Sequence, residues 1–169
     1  MDDTVVNKVE ESGLITLDLE TYYPEGVRAV IDLQDFLYEG VMLREKDFRE
    51  KVKNHDWSSY RDKFVAVHCS ADAIIPRWAF MVVVAALQPF AKKMVAGTPE
   101  KLDEILLREA IDAIPIEVFR DQRVMVKGCG KRSIPESAYV QITQLLLPVA
   151  QSVFYGEACS AVPVYKRKK

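Results

Sequence analysis

The chain has 169 residues, of which 49% are hydrophobic and 28% are charged, and its net charge at pH 7 is −2. The length is typical of one globular domain, and the interspersed charges exclude the broad basic field of a nucleic-acid-binding protein. The longest apolar run, residues 79–87, is shorter than the roughly 20 residues that span a bilayer, and the acidic start lacks the apolar stretch of a signal peptide. We therefore expect one cytoplasmic domain over residues 1–169, without nucleic-acid or membrane partners, whose thiols stay reduced.

The first third of the chain predicts one strand and two helices. Residues 13–23 alternate apolar and polar side chains, which is typical of a strand. Residues 27–41 carry apolar side chains at mostly helical spacing, so we expect a helix there. The charge-rich residues 43–62 predict an exposed helix followed by a loop.

The rest of the chain alternates strand-like and helix-like segments. Compact β-type runs cover residues 63–69 and 122–129, an apolar run covers residues 79–87, and helical patterns cover residues 100–114 and 136–154. This alternation predicts an α/β, or layered α+β, domain with a mixed sheet. We expect the basic end, residues 165–169, to be a flexible and solvated tail.

Two segments of the chain, residues 63–91 and 122–150, resemble each other. Each has a β-rich run that ends in cysteine, a short polar loop, an Ile-Pro pair and a helical pattern. When Cys69 is aligned with Cys129, the two loops differ in length by one residue. We interpret the pattern as a strand–Cys–loop–helix unit that the chain uses twice.

The repeat puts two cysteines at the carboxyl ends of strands, where open α/β sheets bind ligands. If the two strands lie close together, the thiols converge, and a cation would relieve the repulsion between two thiolates. The candidate ligands are Cys69, Cys129, His68 and Cys159, with Asp72 and Glu136 as further candidates. This donor set predicts zinc or another transition metal, iron included.

Two other functions stay open. A cysteine at a helix N-terminus tends toward thiolate, so Cys69 or Cys129 could serve a thiol enzyme or a sulfur carrier, with His68 as the base. A non-catalytic interaction module, whose repeat reflects an old duplication, is the third alternative. The sequence leaves open whether the protein is an enzyme, which proteins it contacts and whether it forms an oligomer.

Three segments carry a resemblance to a known family: "VHCSADAIIPRWA", "VKGCGKRSIPESAYV" and "YGEACSAVPVYK". At these segments the chain resembles a bacterial family, domain of unknown function 2480, which occurs mainly in the Bacteroidetes. The resemblance extends from about residue 13 to the end. It implies metal binding and an accessory role in iron or sulfur metabolism. It supplies no ligand set, so the ligands named above rest on the sequence pattern.

Overall fold

The computed structural model describes residues 8–9, 13–128, 130–157 and 160–168. These residues form four α-helices, several short 3₁₀ helices and eight strands in two sheets, so the predicted α/β class is confirmed. The strands are β1 (Lys8–Val9), β2 (Leu14–Asp18), β3 (Arg28–Asp32), β4 (Phe64–His68), β5 (Lys93–Ala96), β6 (Arg123–Lys127), β7 (Ser152–Tyr155) and β8 (Val162–Lys166). The helices are α1 (Glu45–Asn54), α2 (Arg77–Leu87), α3 (Pro99–Asp112) and α4 (Glu136–Leu146).

The chain divides into two compact units. Unit 1 comprises Met1–Pro24 and Leu106–Lys169, and unit 2 comprises Glu25–Ile105. The prediction of one domain over residues 1–169 stays a prediction. None of the described helices is long and apolar enough to cross a membrane.

Unit 2 contains a three-stranded parallel sheet in the order β3-β4-β5. The central strand β4 is buried from Phe64 to Val67, as expected of a parallel strand covered on both faces. Helix α2 connects β4 to β5 and buries Ala79, Val83 and Leu87 in the same core.

Unit 1 contains a five-stranded sheet in the order β1-β2-β6-β7-β8. Its inner strands β2, β6 and β7 are parallel, whereas β1 and β8 are antiparallel to their neighbours. Helix α4 connects β6 to β7 and buries Ala138, Ile142 and Leu146 in the core of this unit. A parallel three-stranded sheet with one crossover helix is thus common to both units.

The β4–α2–β5 segment of unit 2 and the β6–α4–β7 segment of unit 1 correspond residue by residue, with the second 59 positions after the first. Backbone hydrogen bonds of the two segments are related by the same offset of 59 positions. In unit 2 the Gly97 N–H donates to the Val67 carbonyl. In unit 1 the Gly156 N–H donates to the Val126 carbonyl, at the equivalent positions.

The structural correspondence corrects the alignment of the two cysteines. Strand and helix are separated by the same number of residues in both copies, so the loops do not differ in length. Cys69 corresponds to Gly128, and the counterpart of Ser70 is Cys129, which lies outside the described residues. The sequence comparison paired the cysteines by identity, but the hydrogen-bond register of the strands sets the equivalence.

The helix predicted for residues 27–41 is wrong. Residues Arg28–Asp32 form β3, and a 3₁₀ helix follows at Leu33–Phe36. The Asp32 side chain accepts a hydrogen bond from the Gln34 N–H and begins this 3₁₀ helix. The apolar residues of this short strand and of the 3₁₀ turn after it match helical spacing, so the sequence pattern alone cannot tell a helix from a strand here. The pairing of β3 with β4 decides for the strand.

The segments predicted over 13–23, 43–62, 63–69 and 122–129 contain β2, α1, β4 and β6. Helix α2 covers the apolar run 79–87 and begins two residues before it, and α3 begins one residue before the predicted 100–114. The helix predicted for residues 136–154 ends at Leu146, and the short strand β7 occupies its last part. The first two residues of the predicted tail, 165–169, belong to β8, and Arg167 forms an ion pair with Asp121. Pairing with β7 therefore orders the start of the segment predicted to be flexible.

Candidate functional site

The carboxyl ends of β3 and β4 form a polar edge in unit 2. The strands are paired so that Asp32 lies opposite His68. We use the term unit-2 edge site for the polar residues at these strand ends and in the turns that follow them: Asp32, Gln34, His68, Cys69 and Ser70. Parallel strands bring such side chains together at one edge, which is where α/β folds commonly bind ligands.

Hydrogen bonds hold the Asp32 carboxylate in one orientation. Its Oδ1 accepts from the backbone N–H of Gln34 and of Ser70, each at 3.0 Å. The Ser70 hydroxyl donates to Gln34 Oε1 at 2.6 Å and closes the turn. The other oxygen, Oδ2, lies 4.0 Å from His68 Nε2, and both side chains are about a quarter exposed. Imidazole and carboxylate thus face each other across a gap longer than a hydrogen bond.

The environment of Asp32 favours its ionised form. Burial raises the pKa of Asp32, but hydrogen bonds from Ser70 and Gln34, together with the nearby His68, outweigh burial and bring the pKa below its ordinary value. A carboxyl whose pKa is lower in the folded chain stabilises the fold above its unfolded pKa. That contribution is lost as the pH falls through the folded value.

We therefore expect Asp32→Asn to reduce stability in a pH-dependent way. The difference in free energy of unfolding between wild type and variant should be constant above about pH 5, where the carboxyl is ionised in both states. It should shrink as the pH falls from the unfolded pKa, about 3.9, toward the lower folded value. Urea unfolding followed at a series of pH values measures this difference. A difference that stays constant or grows on acidification would contradict the assignment.

Cys69 is half-buried beside the apolar core of unit 2. Its thiol donates to the Ala71 carbonyl, with sulfur and oxygen 3.7 Å apart. Helix α2 begins only at Arg77, so Cys69 does not occupy the helix N-terminus that the thiol-nucleophile hypothesis expects. Nε2 of the adjacent His68 lies 4.0 Å from Asp32 Oδ2.

The structure places two of the other predicted ligands at exposed positions. Asp72 is exposed in the loop after β4, and Glu136 is exposed in the first turn of α4 in unit 1. Cys129 and Cys159 lie outside the described residues, so their convergence with Cys69 stays a prediction. Among the described residues, no group of three or more His, Cys, Asp or Glu side chains is placed to hold a metal ion.

Asp32 is the site residue that the sequence analysis missed. The sequence does contain a signal for it, because the Asp-Leu pair at Asp18 and Leu19 recurs at Asp32 and Leu33. Each aspartate ends a strand and caps a 3₁₀ helix. The prediction of a helix over residues 27–41 hid this similarity.

An ion pair occupies the equivalent edge of unit 1. Lys127 occupies the position of His68 and lies opposite Asp18. Its Nζ lies 3.2 Å from Glu157 Oε1. The hydrogen bond and the charge of Glu157, followed by the charges of Asp18 and Glu20, raise the pKa of Lys127. Unit 1 therefore carries a permanent cation where unit 2 carries an imidazole.

The family model for "Protein of unknown function (DUF2480)" matches residues 3–167. The chain belongs to the DUF2480 family. The resemblance predicted from the three cysteine-containing segments is thereby confirmed. No curated protein and no solved structure matches the chain. The description of DUF2480 names no ligand and no reaction, so any function for this member has to be inferred from its own residues.

Proposed function

We propose that this DUF2480 protein binds one transition-metal ion, with zinc as the first candidate, at the unit-2 edge site. The proposal rests on one observation: His68 Nε2 and Asp32 Oδ2 face each other at 4.0 Å at the carboxyl edge of a parallel sheet. Cys69 follows His68 directly in the chain. Imidazole nitrogen, carboxylate oxygen and thiolate sulfur are the donors that zinc takes from proteins.

The two facing donors lie close to the separation that zinc ligands require. Tetrahedral zinc ligands with bonds of about 2.0–2.2 Å lie about 3.4 Å apart, so His68 and Asp32 would have to approach each other by about 0.6 Å on binding. The backbone N–H groups of Gln34 and Ser70 orient Asp32 from behind, as outer hydrogen bonds orient metal ligands in general. A bound zinc would supply a structural cross-link between β3 and β4 or, with an open position, a Lewis acid.

Unit 1 provides an internal comparison that supports the proposal. Its backbone repeats that of unit 2, and Asp18 occupies the place of Asp32. However, the residue opposite Asp18 is Lys127, whose ammonium group is a donor-only cation and cannot ligate zinc while protonated. The proposal therefore assigns the metal to unit 2 alone. Cys129 and Cys159 belong to unit 1, so metal binding by these two thiols stays a separate prediction, as does a role in iron or sulfur metabolism.

Zinc titration of the chelator-treated full chain tests the proposal. We expect one ion per chain by elemental analysis. At a free zinc concentration 100-fold above Kd, the free energy of unfolding should rise by about 2.7 kcal/mol, which is roughly 5–10 °C in Tm. Replacing His68 by lysine, the residue that unit 1 carries, should weaken zinc binding by more than about tenfold.

The chain offers a matched control, since it contains only two histidines. His55 packs against Phe36 and Trp57, outside the unit-2 edge site. His55→Gln should leave zinc affinity unchanged, whereas His68→Lys and Asp32→Asn should both reduce it. Absence of retained zinc and of stabilisation in the wild type, or equal losses in His55→Gln and His68→Lys, would contradict the proposal.

Cobalt substitution distinguishes the candidate cysteine ligands. A thiolate bound to cobalt(II) gives an intense near-ultraviolet charge-transfer band. The band should weaken in the serine variant of each cysteine that binds the ion, so Cys69→Ser, Cys129→Ser and Cys159→Ser are compared separately. A cobalt complex without this band would restrict the centre to His68, Asp32 and other non-thiolate ligands.

A further inference from the structure

A cavity of about 380 Å³ lies in unit 1 between helix α4 and strands β6, β7 and β8. Its walls are mostly apolar or aromatic and are formed by Val126, Tyr139, Val153, Phe154, Tyr155 and Val164, with Glu136 and Thr143 as the other lining residues. The volume falls within the range of about 300–1,000 Å³ that is usual for small-molecule sites. No residue of the unit-2 edge site lines this cavity.

The described residues that line the cavity carry one negative charge and no positive one. Among its lining residues, only Glu136 has a charged side chain, and it is exposed at the start of α4. A ligand with an apolar body and a cationic group would match this lining in both shape and charge.

Two of the lining residues carry hydroxyl groups whose protons are already used within the chain. The Tyr139 hydroxyl donates to the Gly128 carbonyl at 3.0 Å. The Thr143 hydroxyl donates to the Tyr139 carbonyl at 2.7 Å. Both of these protons are engaged within the chain, so neither hydroxyl is left to donate to an anionic ligand. An ammonium group can instead donate to Glu136.

Aromatic rings add a second preference for cations. The rings of Tyr139 and Tyr155 meet edge to face, with centroids 5.6 Å apart and planes at 84°. Phe154 also lines the cavity. The face of an aromatic ring attracts a nearby cation, and the attraction grows when the cation is partly withdrawn from water.

The matching positions in unit 2 lack these features. Arg77 stands in place of Glu136, Phe80 in place of Tyr139 and Ala96 in place of Tyr155. The described sheet of unit 2 ends at β5, without a counterpart of β8. The cavity and its charge are therefore specific to unit 1 and do not follow from the repeated fold alone.

We infer that this cavity binds a small protonated organic amine with an apolar body about the size of a phenyl ring. The ammonium group pairs with Glu136, and the apolar body lies against the valine and aromatic walls. This inference does not depend on the proposed metal centre, because the residues belong to unit 1 and none is a proposed ligand of the described edge site.

Three probes of similar shape test the inference on the full chain in the presence of a chelator. These are 2-phenylethylamine, the neutral 2-phenylethanol and the anionic 3-phenylpropionate, with binding followed by calorimetry and ligand-observed NMR. We expect the amine to bind at least about tenfold more tightly than either of the others, since its charge-assisted hydrogen bond is lost in both. Equal affinities, or no saturable binding of the amine, would overturn the inference.

Variants of the lining residues locate the binding. Glu136→Gln should weaken amine binding by about tenfold. Val164→Trp, at a half-exposed position on β8, should block the cavity. Glu117→Gln is the matched control, since that carboxylate belongs to unit 1 but pairs with Arg120 outside the cavity. Far-UV circular dichroism checks that each variant is folded.

Charge reversal gives the sharpest comparison. Glu136→Arg introduces the residue that unit 2 carries and should transfer the preference from 2-phenylethylamine to 3-phenylpropionate. Unchanged amine binding in Glu136→Gln and Val164→Trp would place the amine elsewhere and overturn the inference.

Discussion

Replacing Leu33 with alanine is expected to lower the free energy of unfolding by about 2–5 kcal/mol, and replacing Leu19 should have a similar effect. Both leucines are fully buried and begin equivalent 3₁₀ helices at the carboxyl ends of β3 and β2. Truncation removes apolar contacts and leaves a cavity in a packed core. The two substitutions thus perturb the same structural position in unit 2 and in unit 1.

The two tryptophans make it possible to follow one of the units selectively. Trp57 and Trp78 both belong to unit 2, so their fluorescence follows that unit, whereas far-UV circular dichroism follows both. Urea unfolding of Leu33→Ala should show a lower fluorescence midpoint. Met42→Ala, at an exposed position, is the control and should change stability by less than about 0.5 kcal/mol. A loss below 1 kcal/mol in both leucine variants would contradict the described cores.

Gly26→Ala is expected to destabilise unit 2 by about 2–5 kcal/mol, because backbone strain and steric overlap act together. Gly26 has a φ of 146°, which side-chain-bearing residues rarely adopt. A Cβ atom at this position would lie 2.7 Å from Cε2 of Phe64. The Phe64 ring is buried at the start of β4, so relief of the overlap would disturb the central strand. Thermal and urea unfolding measure the loss.

Gly13→Ala separates strain from overlap. Gly13 also has a positive φ, of 60°, but a Cβ atom there meets nothing within 4 Å. Its replacement should therefore cost only about 1 kcal/mol for the left-handed conformation. Combining Gly26→Ala with Phe64→Leu should recover part of the loss by removing the ring. A Gly26→Ala protein as stable as Gly13→Ala would rule out the described contact.

The elements that the sequence predicted correctly are those with strong local patterns. The run from Phe64 to Val67 is apolar and β-branched, as a doubly covered central strand requires. Helix α3 begins at Pro99, one residue before the predicted pattern, with Leu102 N–H donating to the Thr98 carbonyl. The two copies of the repeat were recognisable because matched prolines and apolar residues keep one spacing across both.

The errors fall where local pattern is ambiguous. Val30, Ile31 and Leu33 satisfy helical spacing, yet their backbone forms β3 and the turn after it. Strands β5 and β7 have only four residues each, too few to establish a period. Each is a strand because it pairs with a neighbour that is distant in the chain.

The residues of the candidate site were likewise predicted only in part. His68 and Cys69 were placed at a strand end by sequence alone, because the preceding run has a clear strand pattern. Asp32 was not found, since its proximity to His68 exists only through the pairing of β3 with β4. The role of Lys127 as the counterpart of His68 likewise emerged only from the register of the two sheets.

By itself, then, the sequence determined the alternation of strands and helices, the duplication and the position of a histidine–cysteine pair at the end of β4. Only the tertiary structure decided that an oriented carboxylate faces that histidine, that unit 1 fills the equivalent edge with a lysine ion pair, and that a cavity with one acidic group lies beside α4. The reason is physical: propensity and periodicity act between near neighbours in the chain, whereas cross-strand register brings together residues far apart in it.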